Sequence, residues 1–469
     1  MKKIFEQTLT PAKWALLAVV FIGTSISCKK FIEINPPKTE IVNEAVFTTD
    51  ESAKSAIRGI YSMMMTNQSF VNGRLELFCG LSCDELRNYA SRADQVQFAN
   101  NSLLPTNANV SSVFWGEAYK YISNANSILE GLGNSTSLSP DLKRELEGEA
   151  RFVRAFCHFY LVNLFGDVPY VTTTDYKVNA IIRQLPKQDV YLKIKEDLIS
   201  ARGLLASDFS FSQNKRIQPN KGAATALLAR VCLYTGDWAG AEILASELIN
   251  NTATYSLRTD LNTVFKPNSV ETIWELQPVR PSTNTSQATI FIVTGTPSNN
   301  NVGAVSLTSA TYNAFEIGDT RKTNWTSSFT NTSGTYYFPY KYKVLISSTP
   351  TEYNIVFRLA EQFLIRAEAR TRLNNIPDAQ SDLNKIRNRA ALSNTSANDQ
   401  ASLLAAIEQE RRIEFLGEFG HRWLDLKRTN RADAVLSPLK IGWQPTDILY
   451  PIPLSEILLN PNLIQNLGY

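Results

Sequence analysis

Two stretches, "ALLARVCLYTGDWAGAEILASELI" and "FLIRAEARTRLNNIPDAQSDLNKIR", each read as a helix, a short turn and a second helix, and they align at an offset of 138 residues. At that offset Ala229 falls on Ala367, Gly236 on Asn374 and Ala241 on Ala379. In both copies the two alanines stand 12 residues apart. Small residues at this spacing let paired helices approach closely, as in a tetratricopeptide repeat, where a core forms by stacking one pair on the next. The aromatic positions usual in such a repeat are not filled consistently here. A plain helical hairpin is therefore an equal reading of the pattern.

The neighbouring segments are also helical in period. Thr48 and Glu51 have capping-box spacing ahead of Ala53, Ala56, Ile57 and Ile60, which share one face. Trp115, Tyr119, Ile122 and Leu129 are in register between Val113 and Leu132. A long amphipathic helix starts near Ser139 and is stopped by Gly166, and another runs from about Lys187 to Leu205. Residues 66–114 read as polar and irregular. Residues 251–350 are rich in Ser, Thr, Asn and Gly with interspersed aromatics, and suggest loops with short strands. The expected fold is mainly α. A helical scaffold spans about 45–250 and 355–430, a loop-rich insertion about 251–350, and a C-terminal tail about 431–469. A long polar excursion on a helical scaffold is where binding is expected.

Composition narrows the class of function. Hydrophobic residues make up 43% of the chain and charged ones 19%, enough for an ample core. The net charge is +3, of which the first 27 residues supply +2, so there is no basic stripe for nucleic acid. Those residues carry basic groups, an apolar run from Trp14 to Ile22 and then small residues, the pattern of an export signal over 1–27. Cys28 stands where a lipoprotein's acylated cysteine would be, although Ser25 occupies the position where leucine is usual. Of the other cysteines, Cys157 and Cys232 sit in apolar helical patterns and read as core. Cys79 and Cys83, four apart, make no disulfide framework.

Catalytic equipment is sparse. There are two histidines, His158 and His421, and no HExxH, GxSxG, phosphate-binding or calcium-loop motif. No Cys/His cluster has zinc spacing, and no cofactor or metal is expected. Glu410, Glu414 and Glu418 lie one helical turn apart, and paired carboxylates can cleave glycosidic bonds. Arg411, Arg412, Arg422 and Arg428 crowd them, however, and ion pairing keeps such acids ionised, whereas a general acid needs a raised pKa. The cluster reads as a salt-bridge network locking a helix to the core.

The aromatics give a better lead. Trp115, Tyr312, Trp325, Tyr336 and Tyr337 lie in or beside polar loops, whereas Trp238 and Trp274 read as packing. Aromatic planes stack on the apolar faces of sugar rings while Asn, Asp and Arg take the hydroxyls. Local packing is the competing reading for each.

Eight strings then occur in an order that resembles one family. They are "CKKFIEINPPKTE", "DESAKSAIRGIYS", "FWGEAYKYISNANSIL", "GEARFVRAFCHFYLVNLFGDVPYV", "NKGAATALLARVCLYTGDWAGAE", "RLAEQFLIRAEARTRLN", "ERRIEFLGEFGHRWLDLKRT" and "YPIPLSEILLNPNLIQNLGY". The chain resembles, from Cys28 to Tyr469, the SusD/RagB outer-membrane lipoproteins of Bacteroidota. The resemblance implies about four tetratricopeptide-like helix pairs beside a loop-rich half, with the proline-rich tail packed across the scaffold. It further implies a non-catalytic surface protein, lipid-anchored at Cys28, that captures an oligosaccharide, or in some members a peptide. The partner it implies is a SusC-like TonB-dependent transporter, contacted largely by the helical half. The corresponding ligand positions would be Asp84, Arg87, Asn109 and Trp115, then Tyr312, Trp325 and Tyr336. A tetratricopeptide scaffold that binds a protein is the alternative.

Overall fold

The computed structural model describes residues 46–469, so the expected export signal and Cys28 lie outside the described residues. In chain order the principal helices are α1 (Asp50–Met64), α2 (Leu75–Ser82), α3 (Ala118–Asn134), α4 (Pro140–Phe165), α5 (Lys187–Leu204), α6 (Lys221–Tyr234), α7 (Trp238–Asn250), α8 (Leu359–Arg372), α9 (Ile376–Arg389), α10 (Gln400–Glu414) and α11 (His421–Arg428). From α4 to α9 each packs on the one before it. The two aligned stretches are the hairpins α6–α7 and α8–α9, and they stack through α7 on α8. Ala229, Ala241, Ala367 and Ala379 are all fully buried. Gly236 and Asn374, the matched turn residues, both adopt left-handed backbone, φ +74° and +63°. That conformation ends a helix at no cost for glycine and little for asparagine. Stacked pairs, not an isolated hairpin, are what the alanine spacing encodes.

Buried arginines tie the helices in register. Arg154 donates to both oxygens of Asp197 at 2.7 Å, joining α4 to α5. Arg230 grips Glu361 at 2.6 and 2.7 Å, joining α6 to α8, and Arg366 grips Asp382 at 2.9 and 2.7 Å, joining α8 to α9. Two-pronged guanidinium–carboxylate pairs fix geometry as well as charge, so sliding one helix along another breaks both bonds.

The rest of the chain is short strands and loops. Strands β1 (Leu86–Asn88), β2 (Thr272–Leu276), β3 (Val305–Leu307), β4 (Thr326–Asn331), β5 (Gly334–Pro339) and β6 (Asn354–Arg358) form antiparallel pairs β1–β3, β2–β6 and the hairpin β4–β5. β6 runs straight into α8, so the β2–β6 pair fastens the insertion to the helical array.

Two local expectations need correction. The cap of α1 is Thr49, whose side chain accepts from the Ser52 N–H, one residue later than the capping-box spacing suggests. Residues 66–114 are not irregular: they hold α2, a further helix at Ala93–Asn100 and π-helical turns at Phe70–Arg74 and Asn109–Glu117. α2 is buried on every side, which erases the amphipathic period that would reveal it.

The tail is ordered and crosses the scaffold. Tyr450 and Ile452 are buried, and the Tyr450 N–H donates to the Leu164 carbonyl at 2.8 Å. Asn466 donates to the carbonyls of Phe165 and Tyr450 at 2.7 and 2.8 Å, while Asn460 and Asn462 donate to those of Ile182 and Ile181 at 2.7 Å. The asparagines thus satisfy loop carbonyls that lack helix or strand partners. Cys79, Cys83, Cys157 and Cys232 are free, buried thiols.

Candidate functional site

Among the expected positions, those with open aromatic or basic groups gather on the insertion where β1, β3 and the β4–β5 hairpin meet. The register Arg87↔Ser306 sets Arg87 outward, between buried Leu86 and half-buried Asn88. Its guanidinium lies 5.2 Å from the centre of the Tyr89 ring. Tyr89 is held by its N–H donating to the Ala304 carbonyl at 2.8 Å and by its hydroxyl at 3.1 Å from Ser306 Oγ. It meets Tyr336 edge to face at 5.6 Å.

Strand alternation then decides what β5 offers. Tyr336 and Phe338 point inward, and Tyr337 between them is partly exposed. Tyr337 lies flat against Tyr312, ring centres 3.5 Å apart and planes 13° from parallel, and the Lys322 ammonium sits 4.3 Å from the centre of the Tyr312 ring. Tyr312 is partly exposed too. Its phenol is pushed up by burial and by the neighbouring Tyr337, so Tyr312 is neutral at ordinary pH. A polar loop closes the edge: the Ser91 N–H donates to Asn299 Oδ1 at 2.7 Å and Asn331 donates to Thr296 Oγ1 at 2.6 Å. Beside β3 is a recess of about 190 Å³ lined by Ile290, Val302, Ala304 and Val305 with Asn300 and Asn301.

The other expected ligand residues serve packing. Trp325 is 1% exposed, its indole N–H donates to the Leu261 carbonyl at 3.1 Å, and Phe265 and Tyr342 share its core cluster. Neither face is open to a sugar. Trp115 is 4% exposed and wedged against Tyr119 and Phe165. Asn109 is buried and spends its amide on Asp94 at 2.7 Å. Burial alone would raise the Asp84 carboxyl, but Arg422 and Arg412, donating to it at 2.8 to 3.1 Å, hold it below its usual value. Asp84 acts indirectly, because its carbonyl accepts from Thr308 and Thr311 at 2.8 and 3.0 Å and so fixes the turn that carries Tyr312. Tyr336 is nearly buried and supports Tyr89.

The acidic cluster is an ion-pair network. Arg321 donates to Glu410 at 2.6 Å and Glu414 at 2.9 Å, and Arg358 donates to both oxygens of Glu418 at 2.9 Å. Arg358 and Arg389 also hold Glu414. Burial would raise Glu414, but the three arginines outweigh it and hold the carboxyl far below the carboxylate range. A carboxyl in that state donates no proton to a leaving group. Because Arg321 comes from the insertion and Glu410 from α10, the network also fixes the insertion to the scaffold. Among the described residues no His, Cys, Asp and Glu group is placed to hold a metal ion, and no helix is long and apolar enough to cross a membrane.

Comparison with known proteins agrees with this architecture. A family profile described as starch-binding and associating with the outer membrane matches residues 30–233, and the SusD family profile matches residues 320–444. SusD-like protein P2 of Formosa agariphila is 30% identical over 516 residues, covering 97% of this chain and 99% of that protein. A SusD superfamily structure from Bacteroides vulgatus superposes with TM-score 0.78 at 21% identity, over 90% of this chain and 99% of that one. A laminarin-binding SusD-like protein gives TM-score 0.76 at 24% identity, over 90% and 100%. Surface glycan-binding protein A from Bacteroides thetaiotaomicron, solved with laminarihexaose, gives 0.75 at 22% identity, over 89% and 100%. With matching profiles at both ends, a near-full-length relative and stacked helix pairs of the same fold, the chain belongs to the SusD/RagB family.

Proposed function

We propose that this protein captures an oligosaccharide at the cell surface and delivers it to a SusC-like TonB-dependent outer-membrane transporter, without cleaving it. The observation that carries the capture is the Tyr312–Tyr337 stack, partly open, with Lys322 over the Tyr312 ring; Arg87 and Tyr89 form a separate basic–aromatic pair at β1. Flat aromatic surface for the sugar face and flanking donors for its hydroxyls are the two things a neutral glycan needs. The laminarin-binding relative and the laminarihexaose complex support a glycan as the ligand class. The Glu414 carboxyl, held ionised by three arginines, supports binding without hydrolysis.

Delivery draws support from the tail. Ile181, Leu458, Leu459, Ile464 and Leu467 are exposed, and the bonds from Asn460 and Asn462 to the 181–182 carbonyls bring the two segments side by side. Exposed apolar side chains gathered in this way suit a protein partner. An acylated Cys28 would hold the protein at the outer membrane beside it.

Calorimetric titration of the mature protein lacking Cys28 against oligosaccharides and short peptides tests the reading, each mixture being checked for cleavage afterwards. Binding of an intact oligosaccharide, weakened about fivefold or more by Tyr337→Ala or Tyr312→Ala through loss of roughly 1 kcal/mol of stacking, is expected. Binding of peptides alone would move the ligand to the peptide class, and released product would overturn the non-catalytic role.

A further inference from the structure

We propose that a second recess, between α1 and the end of β2, binds the carboxylate of an acidic sugar. This extends the glycan-capture reading but uses none of the tyrosine cluster, so either can fail alone. The recess encloses about 510 Å³ and is lined by Arg58 and Tyr61 of α1, Gln213, Lys215 and Gln218 of the following loop, and Gln277. That volume is in the range of small-molecule sites, about 300–1,000 Å³, and far exceeds what a bare ion needs.

Its charge is one-sided. No carboxylate is among the lining residues, and Arg58 and Lys215 take part in none of the ion pairs among the described residues, whereas Lys54 on the same helix pairs with Glu51 at 2.9 Å. The acid behind the floor is Glu149, which accepts from the Tyr61 hydroxyl at 2.6 Å. Burial pushes Glu149 up to about 8, so it is largely protonated at neutral pH, and Glu51, two turns back on α1, is the ionised carboxylate that Arg58 feels.

The recess is also built rather than fluid. Gln213 and Asn214 adopt left-handed backbone, φ 57° and 61°, in a turn closed by Asn214 N–H to the Phe209 carbonyl at 2.9 Å and Lys215 N–H to the Ser212 carbonyl at 3.1 Å. The adjacent Arg216 pins that turn by donating to the Thr272 and Thr254 carbonyls at 2.6 and 2.8 Å. Gln213 and Lys215 are thereby presented from a fixed frame. A guanidinium and an ammonium match a carboxylate, and glutamine amides both donate to and accept from hydroxyls. A uronate residue carries both groups; a neutral hexose leaves the cations without a counter-charge.

The test is calorimetry on the mature protein with trigalacturonate, its carboxyl-reduced neutral trimer and a short acidic peptide. Trigalacturonate should bind at least tenfold tighter than the reduced trimer, with affinity falling as salt rises. Arg58→Gln and Lys215→Gln should each weaken it about tenfold, as expected for a lost charge-assisted bond, and Tyr337→Ala should leave it unchanged. Both cations are at the surface, so the variants fold. Equal binding of acidic and reduced trimers, no binding of either, loss on Tyr337→Ala instead, or preference for the peptide would each overturn the proposal.

Discussion

Replacing Trp325 by alanine separates a structural tryptophan from a ligand platform. The side chain is 1% exposed and packs with Phe265, Tyr342, Leu261 and Ile355. Truncation returns roughly 200 Å² of apolar contact to a cavity, which at about 25 cal/mol per Å² corresponds to ~5 kcal/mol. Large-to-small changes of this kind cost about 3–5 kcal/mol after partial collapse. The indole bond to the Leu261 carbonyl at 3.1 Å is lost as well, leaving a buried acceptor short of a donor. For the Phe47–Tyr469 body, at about 2 cal/mol/K per residue, the unfolding entropy is roughly 0.9 kcal/mol/K, so the melting temperature should fall by about 3–6 °C. Differential scanning calorimetry measures this, and oligosaccharide titration at 20 °C or so, where the variant remains folded, should give an unchanged Kd. A normal melting temperature with weakened binding would refute the burial argument and restore Trp325 to the ligand surface.

Three further outcomes follow from the same contacts. Glu414→Gln should release no product from any glycan yet cost about 3–5 kcal/mol at pH 7, since it strands buried arginines. Because the folded carboxyl is held low, its stabilisation is complete above the unfolded value of about 4.3 and is lost only as pH falls toward the folded one. The gap between wild type and variant in urea unfolding should therefore close below about pH 4. Glu149→Gln should act with the opposite sign: a carboxyl raised to about 8 costs stability as pH climbs from about 4, so the variant should be level with wild type at pH 4 and more stable by about 1–3 kcal/mol at pH 8. Asn466→Ala removes the donors to the Phe165 and Tyr450 carbonyls and should cost about 1–3 kcal/mol, with faster amide exchange at the end of α4 and in the tail.

The helical array was legible because its signal is local. Alanines at fixed spacing, a glycine and an asparagine at matched turns, and a Ser139-to-Gly166 helix all lie within one element and the next. The β2–β6 pair was not, since every residue of both strands is buried and neither alternates. The candidate site was half legible. Tyr312, Tyr337 and Arg87 stand out as aromatic and basic groups in polar loops. Trp325 looks identical in sequence, and it is buried by Leu261, Phe265, Tyr342 and Ile355, which the fold brings up around it. Tyr89 is not legible because its partners, Ser306 and Tyr336, lie more than two hundred residues away, and Lys322 because a ten-residue separation from Tyr312 matches neither helical nor strand neighbours. The two-residue alternation Leu86 in, Arg87 out was the one local hint.

The asparagine clamps of the tail have a thermodynamic consequence. The bond from Asn466 to Phe165 spans 301 residues, and that from Ile464 to Gln184 spans 280. By (3/2)RT ln n, closing a loop of that size costs roughly 5 kcal/mol of chain entropy, but once one clamp is made the others close almost no additional loop. Docking of the tail is therefore cooperative, because the donors that reach the end of α4 come from some three hundred residues along the chain. A chain that stops short of residue 450 forfeits every clamp together, and the end of α4 and the 181–182 loop lose their partners at once.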